Sequence, residues 1–325
     1  MPYAVTINKC GGSDEFSYGP IDVPAPAAGQ VSIHHEAIGL NYIDVYFRSG
    51  LYPIPQFPAV VGMEGAGTVT SIGEGVSEFS VGDRVAYAAP PIGAYATDRV
   101  MRADGIVKLP ASIGFDTAAA MMLQGMTVQY LIKQTYEVKP GDTVLFHAAA
   151  GGVGLIACQW LKHLGATIIG TVGSEEKADL AKQNGCDHTI LYKSENIAER
   201  VKELTGGKGV PVVYDSIGAS TLEASLDSLM PRGLLVSFGN ASGPVTNFNF
   251  GTLGAKGSLY VTRPSLMTYI ADRANMLTMA QDLFDVVSGG VINIAINQRY
   301  PLSDAAKAHD ALESRATTGS TIFTT

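Results

Sequence analysis

The stretch HAAAGGVGLIACQW, residues 147 to 160, gives up most of its side chains at one spot and then resumes an apolar helical pattern. TVLFHAA before it reads as a buried strand and GLIACQWLKHLG after it as a helix. The spacing predicts a strand over Thr143 to Ala149, a turn over Ala149 to Gly154 and a helix beginning about Val153. Small residues in such a turn permit a sharp bend, admit a phosphate to backbone N–H groups and let the helix sit tight on the strand. The pattern is G-x-G-x-x-G with Ala149 in the first glycine place, followed by Gly151 and Gly154. Alanine there requires the backbone to keep a negative φ. The plain alternative is a tight strand-to-helix turn without a ligand. The turn predicts that the amides around Gly151, Gly152, Val153 and Gly154 clasp a pyrophosphate.

The end of the next strand, ATIIGTVG, refines the prediction. A site selective for NAD places Asp or Glu there to bond the ribose hydroxyls. This chain has Gly173 and Ser174, followed by Lys177. Glu175 and Glu176 fall in the first turn of a helix capped by Ser174, where carboxylates favour the helix dipole. The composition of this corner predicts NADPH over NADH.

At 325 residues the chain exceeds the usual size of a single core, so two domains are expected. From Tyr3 to about Ile113, short apolar runs alternate with Gly, Pro and Asp, which predicts a β-rich, partly closed barrel. In GEGVSEFSVGDRV, residues 73 to 85, two glycine turns flank strand-like pieces. After Phe115 the grammar changes. A helix is expected over DTAAAMMLQGMTVQYLIKQ with Asp116 as N-cap, then strands and helices alternate through SEEKADLAKQNG, HTILY, VPVVYDSIG, STLEASLDSLM and GLLVSFGN. Such alternation implies parallel strands with crossover helices on both faces, a doubly wound α/β unit. The tail predicts a helix near Tyr269 to Ser288, a strand around Val291 to Ile296 and a helix near Ser303 to Ser314, and is expected to return to the first half.

Several classes are disfavoured. The formal charge is -8 and no run of Lys and Arg stands out, so nucleic acid is not expected as a partner. Cys10, Cys158 and Cys186 are widely spaced and odd in number, which defines neither a disulfide framework nor a C-x-x-C motif. Cys158 reads as buried packing, and a reducing cytoplasm is expected. The start MPYAVTINKCGG reads as strand and turn rather than a secretory signal. The most apolar segment, AAAMMLQGMTVQYLI, is too short to span a bilayer, so no membrane association is expected.

GDTVLFHAAAGGVGLIACQWLK, residues 141 to 162, resembles the signature of the quinone oxidoreductase and zeta-crystallin branch of the medium-chain dehydrogenase/reductase superfamily. GLNYIDVYFRSGLYP, GEGVSEFSVGDRV, VVYDSIG, VSFGNASG, YVTRPSL and LESRATTG extend the resemblance over essentially the whole chain. It implies a GroES-like β-barrel domain over 1–123, a Rossmann doubly wound parallel sheet domain over 124–262 and a C-terminal return over 263–325, with an active cleft between domains and a homodimer joined sheet edge to sheet edge. Carried over by motif, NADPH contacts are implied for Asn41, Thr127, Gly152, Val153, Gly173, Ser174, Lys177, Tyr192, Ser216, Phe238, Gly239, Asn240, Arg263 and Arg315. In that picture Lys177 and Tyr192 hold the adenosine phosphate, while Asn41 and Phe238 lie nearer the nicotinamide. The bland roles are helix capping for Asn41, ring packing for Tyr192 and a strand-end charge for Arg263.

Zinc-dependent relatives place a His where VVGMEGAG has Met63, and no set of three ligands assembles from the remaining cysteines and the scattered histidines His34, His35, His147, His163, His188 and His309. The resemblance without zinc points to a quinone acceptor, because hydride addition then yields a delocalised hydroquinone anion that needs little acid catalysis, unlike an alkoxide. In NYIDVYFRSGLY, Asn41, Asp44, Tyr46 and Tyr52 are the candidates that line the acceptor site. The alternatives are reduction of an enal or enone double bond, where a tyrosine acid would matter more, and a protein that binds NADPH without turnover.

Overall fold

The computed structural model describes residues 1–325, which divide into two compact units. One comprises Met1–Met126, Tyr269–Ser288 and Ile294–Thr325; the other comprises Thr127–Thr268 and Gly289–Asn293.

The first unit is built on Gln30–Leu40, an 11-residue strand that pairs antiparallel with Glu64–Ile72, Asp98–Arg102 and Ser320–Thr324. Alternating burial along its first half, with Val31, Ile33 and His35 inside and His34 exposed, is what a half-buried strand requires. The seven-stranded sheet is completed by Ile296–Pro301, Arg84–Ala88 and Val107–Lys108, and a separate three-stranded sheet holds Tyr3–Ile7 between Ser17–Pro20 and Ala59–Val60. Val5, Ile7, Ile33, Ile38, Tyr87, Tyr95 and Phe323 form its core.

The second unit carries a six-stranded sheet, all parallel, in the spatial order His188–Leu191, Thr167–Val172, Thr143–Phe146, Val210–Asp215, Leu229–Ser237, Tyr260–Thr262. In chain order this is 3-2-1-4-5-6, the doubly wound arrangement, and its switch point lies between Thr143–Phe146 and Val210–Asp215. These two strands are almost wholly buried, with Val144, Leu145, Val212 and Val213 at its centre, as a sheet covered on both faces demands.

Several boundaries differ from the sequence reading. The helix expected from Asp116 onward is broken into Phe115–Ala119, Met122–Tyr130 and a wide turn at Leu131–Thr135. Gly114 is the N-cap, while Asp116 sits in the first turn and pairs with Arg299. The break follows from Ala120, whose N–H is shared between the Asp116 and Thr117 carbonyls and whose own carbonyl lies 2.9 Å from Ser320 Oγ. Residues 73 to 83 hold no strand; turns with positive φ at Gly75 and Gly82 lead into Arg84–Ala88. The strand expected at Val291 to Ile296 starts at Ile296 instead, because Asn293 commits both backbone groups to the Gln159 side chain. The closing strand Ser320–Thr324 carries no signal that the sequence reading used.

Candidate active site

The glycine turn lies at the carboxyl end of the first parallel strand. That strand stops at Phe146, earlier than expected, and the helix starts at Gly152 rather than Val153, with Gly151 as an N-cap that offers no side-chain hydrogen bond. The first N–H groups of a 12-residue helix therefore meet no side-chain acceptor, which leaves them for an anion together with the positive end of the dipole. Gly154 is where a side chain is least tolerable: a Cβ would stand 2.4 Å from the Ala148 carbonyl oxygen and 2.7 Å from the Ala149 backbone. At Gly151 the nearest atom would be 3.3 Å away. Ala149, in the first glycine place, keeps ordinary φ, and the left-handed residue is its neighbour Ala148, at φ 56°.

The corner beyond the second strand holds the helix cap that the sequence predicts. Ser174 caps the helix Glu175–Gln183, its hydroxyl accepting from the Lys177 N–H, and Glu175 and Glu176 occupy the first turn. Tyr192 follows the strand His188–Leu191 and brings its hydroxyl against Gly173, where a Cβ would come within 2.8 Å of it. No carboxylate terminates the second strand, so Gly173, Ser174, Lys177 and Tyr192 share one partly exposed corner.

A third group stands past the fourth and fifth strands. A Cβ on Gly239 would meet the Ser216 carbonyl oxygen at 2.2 Å, so the loops carrying Ser216 and Gly239 touch backbone to backbone. The Phe238 ring packs 5.9 Å from Phe146. Arg263 donates to the Ser237 carbonyl at 2.9 Å, and Asn240 accepts from Arg263 Nη2 at 3.1 Å while donating to the Gly239 carbonyl. Arg263 thus braces the loop that bears Phe238, Gly239 and Asn240, although its side chain is exposed. Thr127 is buried in the helix Met122–Tyr130.

In the first unit Asn41 is the N-cap residue of the helix Tyr42–Ser49, yet its amide serves another set of bonds. Ser320 Oγ donates to Gln124 Oε1 at 2.8 Å, Gln124 Nε2 to Asn41 Oδ1 at 3.2 Å, and Asn41 Nδ2 to Glu64 Oε2 at 2.7 Å. Glu64 Oε1 accepts from the Leu123 N–H at 2.8 Å. The bonded partners of the Glu64 carboxyl oxygens are donors, the Asn41 amide and the Leu123 N–H, so these oxygens fix which way the Asn41 amide faces. The sequence reading took only Met63 from GMEGAG. A carboxylate set among glycines and alanines in a strand pattern is the signal that would have found Glu64.

Asp44 does not line an acceptor site, contrary to expectation. It has no exposed surface; its Oδ2 accepts from the Asn41 N–H at 2.9 Å and from Tyr95 OH at 3.0 Å. The chain continues through His309 Nε2, 2.9 Å from Tyr95 OH, to Arg48, which pairs with Glu313 at 2.7 Å. Asp44 therefore ties the start of one helix to the C-terminal helix Ala305–Glu313. Tyr46 is nearly buried, and its ring meets that of the half-buried Tyr52 edge to face at 5.3 Å. Arg315, exposed and left-handed at φ 61°, lies near enough to Tyr42 to draw its phenol pKa down against the rise from burial.

Burial dominates the titrating groups. It raises Asp44 to about 7 and Glu64 to about 8. It lowers His35 to about 4 and His309 to about 3, the latter helped by Arg48, and it lowers His147 as well. No three His, Cys, Asp or Glu side chains converge in a way that could hold a metal ion, and Met63 is packed in the core.

A barrel-like unit joined in one chain to a 3-2-1-4-5-6 nucleotide sheet defines a medium-chain dehydrogenase/reductase. Residues 27–132 match the alcohol dehydrogenase GroES-like domain and 152–282 the zinc-binding dehydrogenase domain. The chain is 55% identical to a quinone oxidoreductase of Pseudomonas aeruginosa over 96% of both sequences, and 46% identical to a 2-haloacrylate reductase of a Burkholderia species over 99% of both. The crystal structure of Escherichia coli quinone oxidoreductase complexed with NADPH superposes with a TM-score of 0.98 at 50% identity, covering 99% of this chain and 100% of that one. The chain belongs to the quinone oxidoreductase family.

Proposed function

We propose that this protein is an NADPH-dependent reductase of small quinones that works without zinc. The observation that carries the reading is the uncapped N-terminus of Gly152–His163, with Gly173, Ser174, Lys177 and Tyr192 where an acidic residue would select NADH. These residues fit a dinucleotide phosphate by their own geometry: amides without side-chain acceptors, glycines where a Cβ would clash, and a lysine in the adjoining helical turn. Bound NADPH supplies the hydride. The chain's task is to hold the pyrophosphate at Gly151 to Gly154, to seat the adenosine phosphate against Lys177 and Tyr192, and to orient an amide. Asn41 does the last, since Glu64 takes one Nδ2 hydrogen and leaves the other for the nicotinamide or the acceptor. The half-buried Tyr52 offers aromatic surface to a flat ring, with Tyr46 packed edge to face behind it.

Replacing Lys177 by alanine is expected to raise KM for NADPH roughly 10- to 100-fold, the loss of one charge-assisted phosphate contact, while KM for NADH stays put. Equal kinetic efficiency of the wild type with both nucleotides would overturn the selectivity. NADPH oxidation in the presence of a benzoquinone, unchanged by a chelator, tests the reaction and its independence of zinc.

The name of the Burkholderia relative favours one second reading, reduction of an activated carbon–carbon double bond. There a proton must reach carbon, so Tyr52→Phe is expected to cut enone turnover roughly 100-fold or more and leave quinone turnover nearly intact. An enone used as well as the quinone, with that sensitivity to Tyr52, decides for the second reading.

A homodimer and a reducing, cytoplasmic setting belong to the same proposal. The outer strand Tyr260–Thr262 leaves one edge of the parallel sheet unpaired, with Tyr260 and Val261 exposed, which suits pairing with a second copy. All three cysteines are free thiols, and no helix is long and apolar enough to cross a membrane. Light scattering of the purified chain at twice the mass of one copy is the expected result.

A further inference from the structure

Behind the glycine turn runs a second line of buried polar groups that the cofactor contacts do not include. His147 Nδ1 lies 3.0 Å from Thr171 Oγ1, and His147 Nε2 lies 3.0 Å from Ser225 Oγ. Ser225 Oγ donates to Asp215 Oδ2 at 2.7 Å, and the Ala148 N–H donates to Thr171 Oγ1 at 3.3 Å. His147 and Ser225 have no exposed surface, and Thr171 and Asp215 almost none.

The proton arrangement follows from counting donors. Asp215 also accepts from Thr221 Oγ1 and from the N–H groups of Ile217 and Gly218, so its carboxylate has only donors around it. Ser225 therefore spends its hydrogen on Asp215 and must accept from His147, which puts the imidazole hydrogen on Nε2. Nδ1 is then an acceptor, filled by the Thr171 hydroxyl, and the Thr171 oxygen is free to accept from Ala148. Between the Ala148 N–H, which only gives, and the Asp215 carboxylate, which only accepts, Thr171, His147 and Ser225 each give one hydrogen and take one, and only a neutral imidazole fits.

The two ends of the line are what give it consequence. One is Ala148, the left-handed residue whose carbonyl sits under Gly154. The other is Asp215, whose carboxylate ties down the loop Ser216–Gly218 past the fourth strand. These are the two walls of the switch point, and three strand ends are cross-linked behind them. We propose that Thr171, His147 and Ser225 are positioning residues that hold the pyrophosphate turn and the Ser216 loop in register for the dinucleotide. The proposal rests on the NADPH reading above and adds the residues that shape that site from within.

Thr171→Val keeps the shape of the buried side chain and removes its hydroxyl, Thr171→Ser keeps the hydroxyl, and Ser225→Ala cuts the line at the other side. Calorimetric titration with NADPH is expected to show the Val and Ala variants bound about 5- to 20-fold more weakly, KM raised in proportion and kcat within about two-fold, with the Ser variant near wild type. Nitrogen NMR of the labelled imidazole is expected to show His147 neutral and protonated at Nε2 at neutral pH. A Thr171→Val variant that binds NADPH like wild type, or an Nδ1-protonated ring, overturns the proposal. Failure of the folded wild type to bind NADPH at all would instead overturn the cofactor reading, and the relay's role with it.

Discussion

A Gly154→Ala variant is expected to bind NADPH roughly 10- to 100-fold more weakly than wild type and to unfold at lower temperature. The added Cβ would stand 2.4 Å from the Ala148 oxygen and 2.7 Å from two backbone atoms of Ala149. None of the three is the far end of a flexible side chain, so no rotamer change relieves the contact. The helix Gly152–His163 must back away from the strand end, and with it go the N–H groups that face the phosphate. Overpacking of this kind costs about 1–3 kcal/mol, and every 1.4 kcal/mol lost from binding is about tenfold in affinity.

Gly151→Ala is the control. Its Cβ would meet only the Ala148 oxygen, at 3.3 Å, a contact that a shift of a few tenths of an ångström relieves. The expected loss of affinity is several-fold at most, read by the same titration. A motif treats the two glycines alike; the structure separates them into one that lets helix and strand touch and one that starts the helix. Equal losses in both variants would mean that close approach of the phosphate, not helix packing, is what glycine supplies at 154.

The contrast shows what was legible in the sequence. Strand, turn and helix at 143 to 163, the Ser174 cap and the absence of an acid at the second strand end all follow from local rules, because a turn's chemistry is written in adjacent residues. The alternation of elements gave the doubly wound sheet for the same reason. What local rules could not reach were bonds between distant residues. Ser320 and Gln124 are 196 positions apart, and Arg48 and Glu313 are 265 apart. The break after Ala119, the late start of Ile296–Pro301 and the buried role of Asp44 all arise from such partners. In NYIDVYFRSGLY, Asp44 is a hydrogen-bonding residue set among aromatics, which is compatible with either role, substrate contact or a buried tie. Burial decided between them. His147, one of six scattered histidines in the sequence, carries no local signal of its partners Thr171 and Ser225, 24 and 78 positions away.

Glu64 gives the other large effect, on stability rather than binding. Its pKa is raised by burial from 4.5 to about 8, so the folded chain holds a proton that the unfolded chain has released over that interval. Stability from such a group is fully present below the unfolded value and is lost as pH rises through the folded one. Between about pH 6 and about pH 9, Glu64 is expected to withdraw roughly 2–3 kcal/mol, and Asp44, raised to about 7, adds to the fall at the lower end of that range. His35, His147 and His309 act in the opposite sense and on the other side: their lowered values remove stability as pH drops below about 6.5, so they leave the alkaline limb untouched. Glu64→Gln removes the titration. Its amide can keep the Leu123 bond through oxygen and donate to Asn41, provided Asn41 and Gln124 both turn over and Ser320 gives its hydrogen to the Ala120 carbonyl, 2.9 Å away. Urea unfolding of the variant is therefore expected to show a markedly flatter decline from pH 6.5 to 9 than wild type, with the two curves converging or crossing toward the alkaline end. Parallel curves over that range would mean that Glu64 is already ionised in the folded protein at neutral pH, its bonds from the Asn41 amide and the Leu123 N–H outweighing burial.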